Sequence, residues 1–175
     1  MLRSLALISI RWGAIASVLA VSLLVTVYYL GRHPLMVAPF LDFRILLYAL
    51  FIFFALREFR DYHQQGELYF WQGMIGSFIL VGVAGILAAT LFWIFGTLET
   101  EFVPSYIRQM TDYLKNFSEE DIQRIGKDVF ESNLKGLPST NMSQLALTYL
   151  AQSFVIGLFV SIILSVILRK TTKQN

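Results

Sequence analysis

Apolar residues are gathered into long uncharged stretches that are separated by shorter polar segments. Trp12 to Leu30, Phe70 to Leu98 and Leu145 to Leu168 hold no charged residue over 19, 29 and 24 positions. An α-helix of about 20 residues is long enough to cross the hydrocarbon core of a bilayer. The pattern therefore predicts three transmembrane helices, with approximate bounds 12–30, 70–98 and 145–168.

The first of these stretches has a rival interpretation as a secretory signal peptide. A signal peptide has a shorter apolar region, followed by small residues at the cleavage site. Here the stretch ends in the bulky run Val27-Tyr28-Tyr29-Leu30. We therefore predict an uncleaved signal anchor.

Another span is predicted between the first two, although its pattern is less regular. Ile45 to Leu56 is fully apolar, but these residues alone would cover only about 18 Å as a helix. Extension back to Pro39 takes in Asp42 and Arg44, and a proline suits the first turn of a helix. Arg44 could reach the membrane interface by snorkelling. We predict a span from Pro39 to Leu56 that continues as a polar helix through Asp61.

Glu99 to Gln144 is the only long polar stretch, and its apolar residues recur at spacings of three and four. That spacing predicts two amphipathic helices. Ser118 and the acidic run after it suit a helix N-cap and first turn better than a calcium loop, whose oxygen ligands would alternate along the chain. The two apolar stripes consist of Val103, Tyr106, Ile107, Met110, Tyr113, Leu114 and Phe117, and of Ile122, Ile125, Val129, Phe130 and Leu134.

The distribution of charge predicts which side of the membrane each segment faces. Four spans place both termini on one side, together with the loop that holds Arg57 and Arg60. The segment 99–144 lies on the other side and carries five basic and eight acidic residues. Because basic residues near the spans favour the cytoplasm, we predict cytoplasmic termini and an extracytoplasmic 99–144 segment.

Composition supports an integral membrane protein with a single membrane domain over residues 1–175. Apolar residues make up 56% of the chain and charged residues 15%, and the mean hydropathy is +0.61. Soluble domains have about 25% charged residues. The absence of cysteine excludes disulfides and thiolate metal sites. The net charge of +2 carries no nucleic-acid signature.

No arrangement of residues in the sequence points to catalysis, a cofactor or a metal. Zinc-protease, nucleophile-elbow and phosphate-loop motifs are missing. His33 and His63 are predicted on opposite sides, as two interfacial histidines that cannot share an ion. An enzyme would have to use Asp42, Arg44, Arg57 and Asp61, which the predicted topology separates. The sequence therefore favours a protein without catalytic, cofactor-binding or metal-binding residues, and hence not an enzyme.

Other residues are candidates for packing and binding. Small residues four apart let helices approach closely in lipid, and Gln72 and Gln152 are the candidate polar residues inside the membrane. Arg57, Arg60 and Asp61 form a charged cytoplasmic joint that is the candidate contact for a partner or lipid headgroup. The candidate packing residues are Gly73, Ser77, Ala84 and Ala88 in the third span and Ser153, Gly157, Ser161 and Ser165 in the fourth.

The order of these elements resembles a known family. The chain is similar to the four-helix integral membrane proteins of Bacteroidetes that form the domain-of-unknown-function family numbered 4199. The resemblance implies a bacterial inner-membrane location and an association with lipid-linked glycan assembly, and it supplies no catalytic residue. It rests on Leu56-Arg57-Glu58-Phe59-Arg60-Asp61, on Gly66, Glu67, Leu68, Phe70, Gln72 and Gly73, and on Pro104, Gly157 and Arg169-Lys170.

Two functions remain open at the level of sequence. The favoured one is a non-catalytic subunit or scaffold of an inner-membrane complex, with membrane lipids and either a membrane-protein partner or a second copy around it. The alternative is a small transporter or lipid-handling protein, which would need a polar groove lined by residues such as Gln72, Gln152 and Arg60. A polar cavity that enters between the helices would favour the alternative.

Overall fold

The computed structural model describes residues 2–37 and 41–171, and over these residues the chain is built from helices. This confirms the all-α class for the described part of the chain. Three of its helices, α1, α3 and α7, are long and apolar enough to cross a membrane. The seven α-helices are α1 (Leu2–Tyr29), α2 (Phe43–His63), α3 (Phe70–Leu98), α4 (Phe102–Lys115), α5 (Glu119–Ile125), α6 (Lys127–Gly136) and α7 (Met142–Leu168).

Helix α2 begins at Phe43, and it includes the polar continuation through Asp61 that was expected after the apolar span. Its N-cap is Asp42, whose side chain accepts a hydrogen bond of 2.9 Å from the backbone N–H of Arg44. The predicted start at Pro39 lies outside the described residues. The helix continues through the charged run and ends at His63. Gln65 and Gly66 follow with positive φ angles of 50° and 88°, which cannot continue an α-helix.

The four long helices pack as a bundle around α3. Helix α3 lies between α1 and α7, and α2 closes the bundle against both α1 and α7. The centre is occupied by apolar side chains with no solvent exposure, such as Leu24, Ile52, Leu80 and Phe92. The bundle therefore has one continuous core, while apolar side chains cover its outer surface as well.

Small residues allow α3 and α7 to approach closely. A Cβ added to Gly73 would lie 3.2 Å from the Cα of Ser165, and one added to Gly157 would lie 2.3 Å from Cγ1 of Val81. The two predicted stripes of small residues therefore pack between α3 and α7 of the same chain. The residues of these stripes are all buried: Gly73, Ser77, Ala84, Ala88, Ser153, Gly157, Ser161 and Ser165.

The polar stretch between α3 and α7 forms three α-helices, so the prediction of two was wrong. The second predicted helix is split at Gly126, whose φ of +96° is incompatible with a continuous α-helix. Ser118 caps α5 by accepting a 3.2 Å hydrogen bond from the backbone of Asp121. Asn141 and Gln144 then form a reciprocal capping box at the start of α7.

His33 lies inside the protein, where its side chain is fully buried. Its ring packs 4.5 Å from that of Phe102 and 5.0 Å from that of Tyr106, and its backbone N–H donates to Oε1 of Gln109 at 2.9 Å. Burial lowers the pKa of His33 to about 4, and the ring is therefore neutral at pH 7. These contacts attach the segment after α1 to α4.

The close approach of α7 to α3 predicts that Gly157 cannot be enlarged. We expect Gly157→Leu to lower the free energy of unfolding by about 1–3 kcal/mol, because Val81 occupies the space that the side chain needs. Gly82→Leu is the matched control, since nothing lies within 4 Å of a Cβ there. Unfolding in mixed micelles followed by circular dichroism measures both. Equal stability of the two variants would contradict close packing at Gly157.

Candidate functional site

Arg44 is a buried cation with a complete set of partners. Its Nε donates to both carboxylate oxygens of Asp42 at 2.9 Å. Its Nη2 donates to Asp42 at 2.5 Å and to Oε1 of Gln152 at 2.8 Å. Its Nη1 donates to the carbonyl oxygen of Tyr149 at 3.0 Å and to Oγ of Ser153 at 3.1 Å. All five guanidinium N–H groups are therefore engaged.

Local structure explains why these groups meet. Asp42 precedes α2 as its N-cap and Arg44 follows two positions later, so one turn of chain holds both charges. Tyr149, Gln152 and Ser153 lie three and four residues apart, which places them on one face of α7. The guanidinium also lies 4.4 Å from the centre of the Tyr149 ring, as a cation–π contact.

The sequence suggested that Arg44 reaches the membrane interface by snorkelling. In the structure its side chain is buried instead. It is 4% exposed, and its side chain crosses from the start of α2 to α7. Snorkelling is unnecessary because Asp42 supplies the counter-charge and α7 supplies the remaining acceptors. A buried charge that has both an opposite charge and hydrogen bonds avoids most of the cost of leaving water.

A groove of about 410 Å³ opens beside this ion pair, between α7, the start of α2 and the segment after α1. We call it the Arg44 groove. Its polar patch consists of Asp42, Arg44, Thr148 and Gln152. The rest of the lining is apolar and consists of Pro34, Leu35, Val37, Ala151, Val155 and Ile156. Such a surface can hold a ligand that has both polar and apolar parts.

The two glutamines singled out in the sequence are not brought together. Gln152 lies in the Arg44 groove. Gln72 is buried at the opposite end of the bundle, where its Oε1 accepts a 2.9 Å hydrogen bond from the backbone N–H of Tyr69 at the start of α3. Gln72 therefore has a helix-capping role in the structure, and only Gln152 faces a cavity.

The charged joint of Arg57, Arg60 and Asp61, which the sequence predicts on the cytoplasmic side, is a set of ion pairs at that opposite end. Asp61 lies 2.8 Å from Nε of Arg60 and 3.5 Å from Nε of Arg57. The hydrogen bond from Arg60 is the largest cause that lowers the pKa of Asp61. The side chain of Arg57 remains 58% exposed. The joint thus presents one accessible guanidinium, and most of its charge is balanced internally.

Sequence reasoning missed the contacts that join this charged joint to α1. Glu58 accepts hydrogen bonds from the side chains of Arg11 and Trp12, which lie in α1. A second cavity of about 380 Å³ lies at this joint, and it is lined by Trp12, Phe54, Arg57, Glu58, Asp61 and Tyr62. Part of the signal was present in the sequence, because the predicted topology places the N-terminus on the same side as the loop that holds Arg57 and Arg60. Nothing in the spacing indicated that Arg11 and Glu58 would pair.

One family model matches residues 11–170 of the 175-residue chain, and its description is "Protein of unknown function (DUF4199)". The chain belongs to this family. The match confirms the family resemblance found in the sequence, and the DUF4199 description assigns no activity. No curated protein matches the chain, and no solved structure does.

The geometry of the DUF4199 chain predicts that two ion pairs contribute very differently to its stability. Asp42→Ala should lower the free energy of unfolding by about 3–5 kcal/mol, because Arg44 would remain buried without a counter-charge. Asp61→Ala is the matched control, and at that more exposed pair the loss should be about 1 kcal/mol or less. Thermal or denaturant unfolding in detergent compares them. Similar losses would contradict a special role for the buried pair.

Proposed function

We propose that this protein is a non-catalytic protein of the bacterial inner membrane that crosses the bilayer four times and binds a lipid in the Arg44 groove. The observation that carries the proposal is the combination of a fully paired buried arginine with a groove whose remaining walls are apolar. A polar, water-soluble ligand would gain little binding free energy from contact with such apolar walls. An acyl chain gains contact along them while its polar part meets the polar patch.

The surface of the bundle supports insertion of all four long helices. Large apolar side chains point outward on each of them, such as Val18 on α1 at 61% exposure, Leu46 on α2 at 72% and Phe159 on α7 at 63%. Exposed apolar surface on this scale calls for lipid around it. Helix α2 packs against its neighbours along the same bundle, which makes it the fourth span in this proposal.

The position of the groove along α7 supports a lipid as its occupant. Gln152 lies ten residues after Met142, the first residue of α7. It is therefore about 15 Å along the helix axis from that end. If α7 begins at the membrane surface, the polar patch lies within the hydrocarbon region, and lipid chains are the molecules that meet the groove there. The charge distribution favours an extracytoplasmic location for this end of the bundle.

A scaffold role remains a second candidate because of one feature, the exposed Arg57 at the cytoplasmic joint. A guanidinium next to the anionic inner leaflet can bind a lipid headgroup or a carboxylate of a partner. The contact would be weak, since an exposed ion pair contributes about 1 kcal/mol or less. Lipid binding in the Arg44 groove has the larger surface and is therefore our first proposal.

Blocking the groove tests the proposed function. Val155 and Val166 are both valines of α7, with 57% and 59% exposure, and only Val155 lines the Arg44 groove. Val155→Trp should reduce retained lipid about tenfold, equivalent to roughly 1.4 kcal/mol, because the indole would occupy the binding space. Val166→Trp should retain lipid like the unmodified protein. Native mass spectrometry of protein extracted in mild detergent measures the retained lipid.

The proposal fails if Val155→Trp and Val166→Trp retain the same lipids in the same amounts. A third outcome would support the scaffold role. In that case a protein partner is lost when Arg57 and Arg60 are replaced together, and lipid retention does not depend on Val155.

A further inference from the structure

The hydrogen-bonding state of Arg44 limits what the polar patch can recognise. Each of its five N–H groups already has an acceptor within the chain. A phosphate would have to displace Asp42, Gln152 or the α7 acceptors in order to bind the guanidinium. Arg44 therefore lies beside the groove but has no free N–H group with which to bind an incoming anion.

The charge of the polar patch also disfavours an anionic ligand. Asp42 neutralises Arg44, and the side chains are 12% and 5% exposed respectively. Both residues line the groove, so an anion that enters would meet a carboxylate as well as an already paired guanidinium. In a medium of low dielectric constant, a net charge without a free counter-charge is strongly disfavoured. An uncharged ligand avoids this cost.

Two other groups of the patch do have donors to offer. Gln152 uses its Oε1 for Arg44, and its amide NH₂ has no acceptor among residues 2–37 and 41–171. Over the same residues Thr148 has no hydrogen-bond partner, and its side chain is exposed in the groove. The two residues are four apart on α7, so their side chains are neighbours on one face. Together they offer up to three N–H or O–H donors to a ligand.

From these observations we infer that the Arg44 groove selects an uncharged lipid, whose ester-carbonyl or hydroxyl oxygens accept hydrogen bonds from Gln152 and Thr148. Phosphate-bearing lipids with the same acyl chains are discriminated against, because Arg44 is fully paired with Asp42 and with α7. This inference rests on the proposed function, since it names the chemical class of the lipid that the groove binds.

Two lipids with identical chains test the selectivity. The purified full chain in detergent is titrated with dioleoylglycerol or with dioleoylphosphatidic acid, which differs by its phosphate, and binding is measured by native mass spectrometry. We expect dioleoylglycerol to bind at least about tenfold more tightly. Thr148→Val removes the hydroxyl without changing the size of the side chain, and it should weaken dioleoylglycerol binding about threefold to tenfold.

Thr97→Val is the matched control, since Thr97 is an exposed threonine of α3 that does not line the groove. It should bind dioleoylglycerol like the unmodified protein. Tighter binding of dioleoylphosphatidic acid would overturn the inference, as would a Thr148→Val variant that binds like wild type. Both results leave the proposed function intact if Val155→Trp still weakens lipid binding about tenfold. Binding of both lipids that is insensitive to Val155→Trp would contradict the proposed function itself.

Discussion

The ion pair of Asp42 and Arg44, fixed to the backbone and side chains of α7, is the constraint on which the architecture near the groove depends. A guanidinium that is 4% exposed is tolerated only because every N–H group has an acceptor. The pair also determines where α2 begins, since Asp42 is both the counter-ion and the N-cap of that helix. One carboxylate thus starts the helix, neutralises the arginine and orients it toward α7.

The same constraint has a functional consequence. The segment after α1 is attached to α4 through His33, and α2 starts beside Tyr149 to Ser153 of α7, so that a space remains between them among the residues that the structure describes. That space is the Arg44 groove. The saturated guanidinium occupies the amide oxygen of Gln152. In our proposal this leaves the amide N–H groups of Gln152 for the ligand, so that Arg44 would act on recognition indirectly, through the donor that it orients.

The long uncharged stretches made the helical class and three apolar helices predictable, because a helix needs about 20 apolar residues to cross the hydrocarbon core of a bilayer. Other features depended on contacts between distant residues. Arg44 is followed by an apolar run, which suggested snorkelling, and its acceptors lie more than 100 positions away on α7. Likewise Phe102 and Tyr106 enclose His33 only once α4 has folded back over the bundle. The break at Gly126 was missed because a glycine inside an amphipathic pattern is often tolerated.

Photo-crosslinking in the membrane can detect the lipid that we propose to lie in the Arg44 groove. Membranes that contain the protein are supplied with a lipid that bears a diazirine in its acyl chain, and they are then irradiated and digested. If a lipid is bound in the groove, adducts should be concentrated on the groove wall from Thr148 to Ile156, well above those on the exposed face of the same helix from Ile162 to Ile167. Equal labelling of the two regions would contradict the proposal, because ordinary annular lipid contacts both alike.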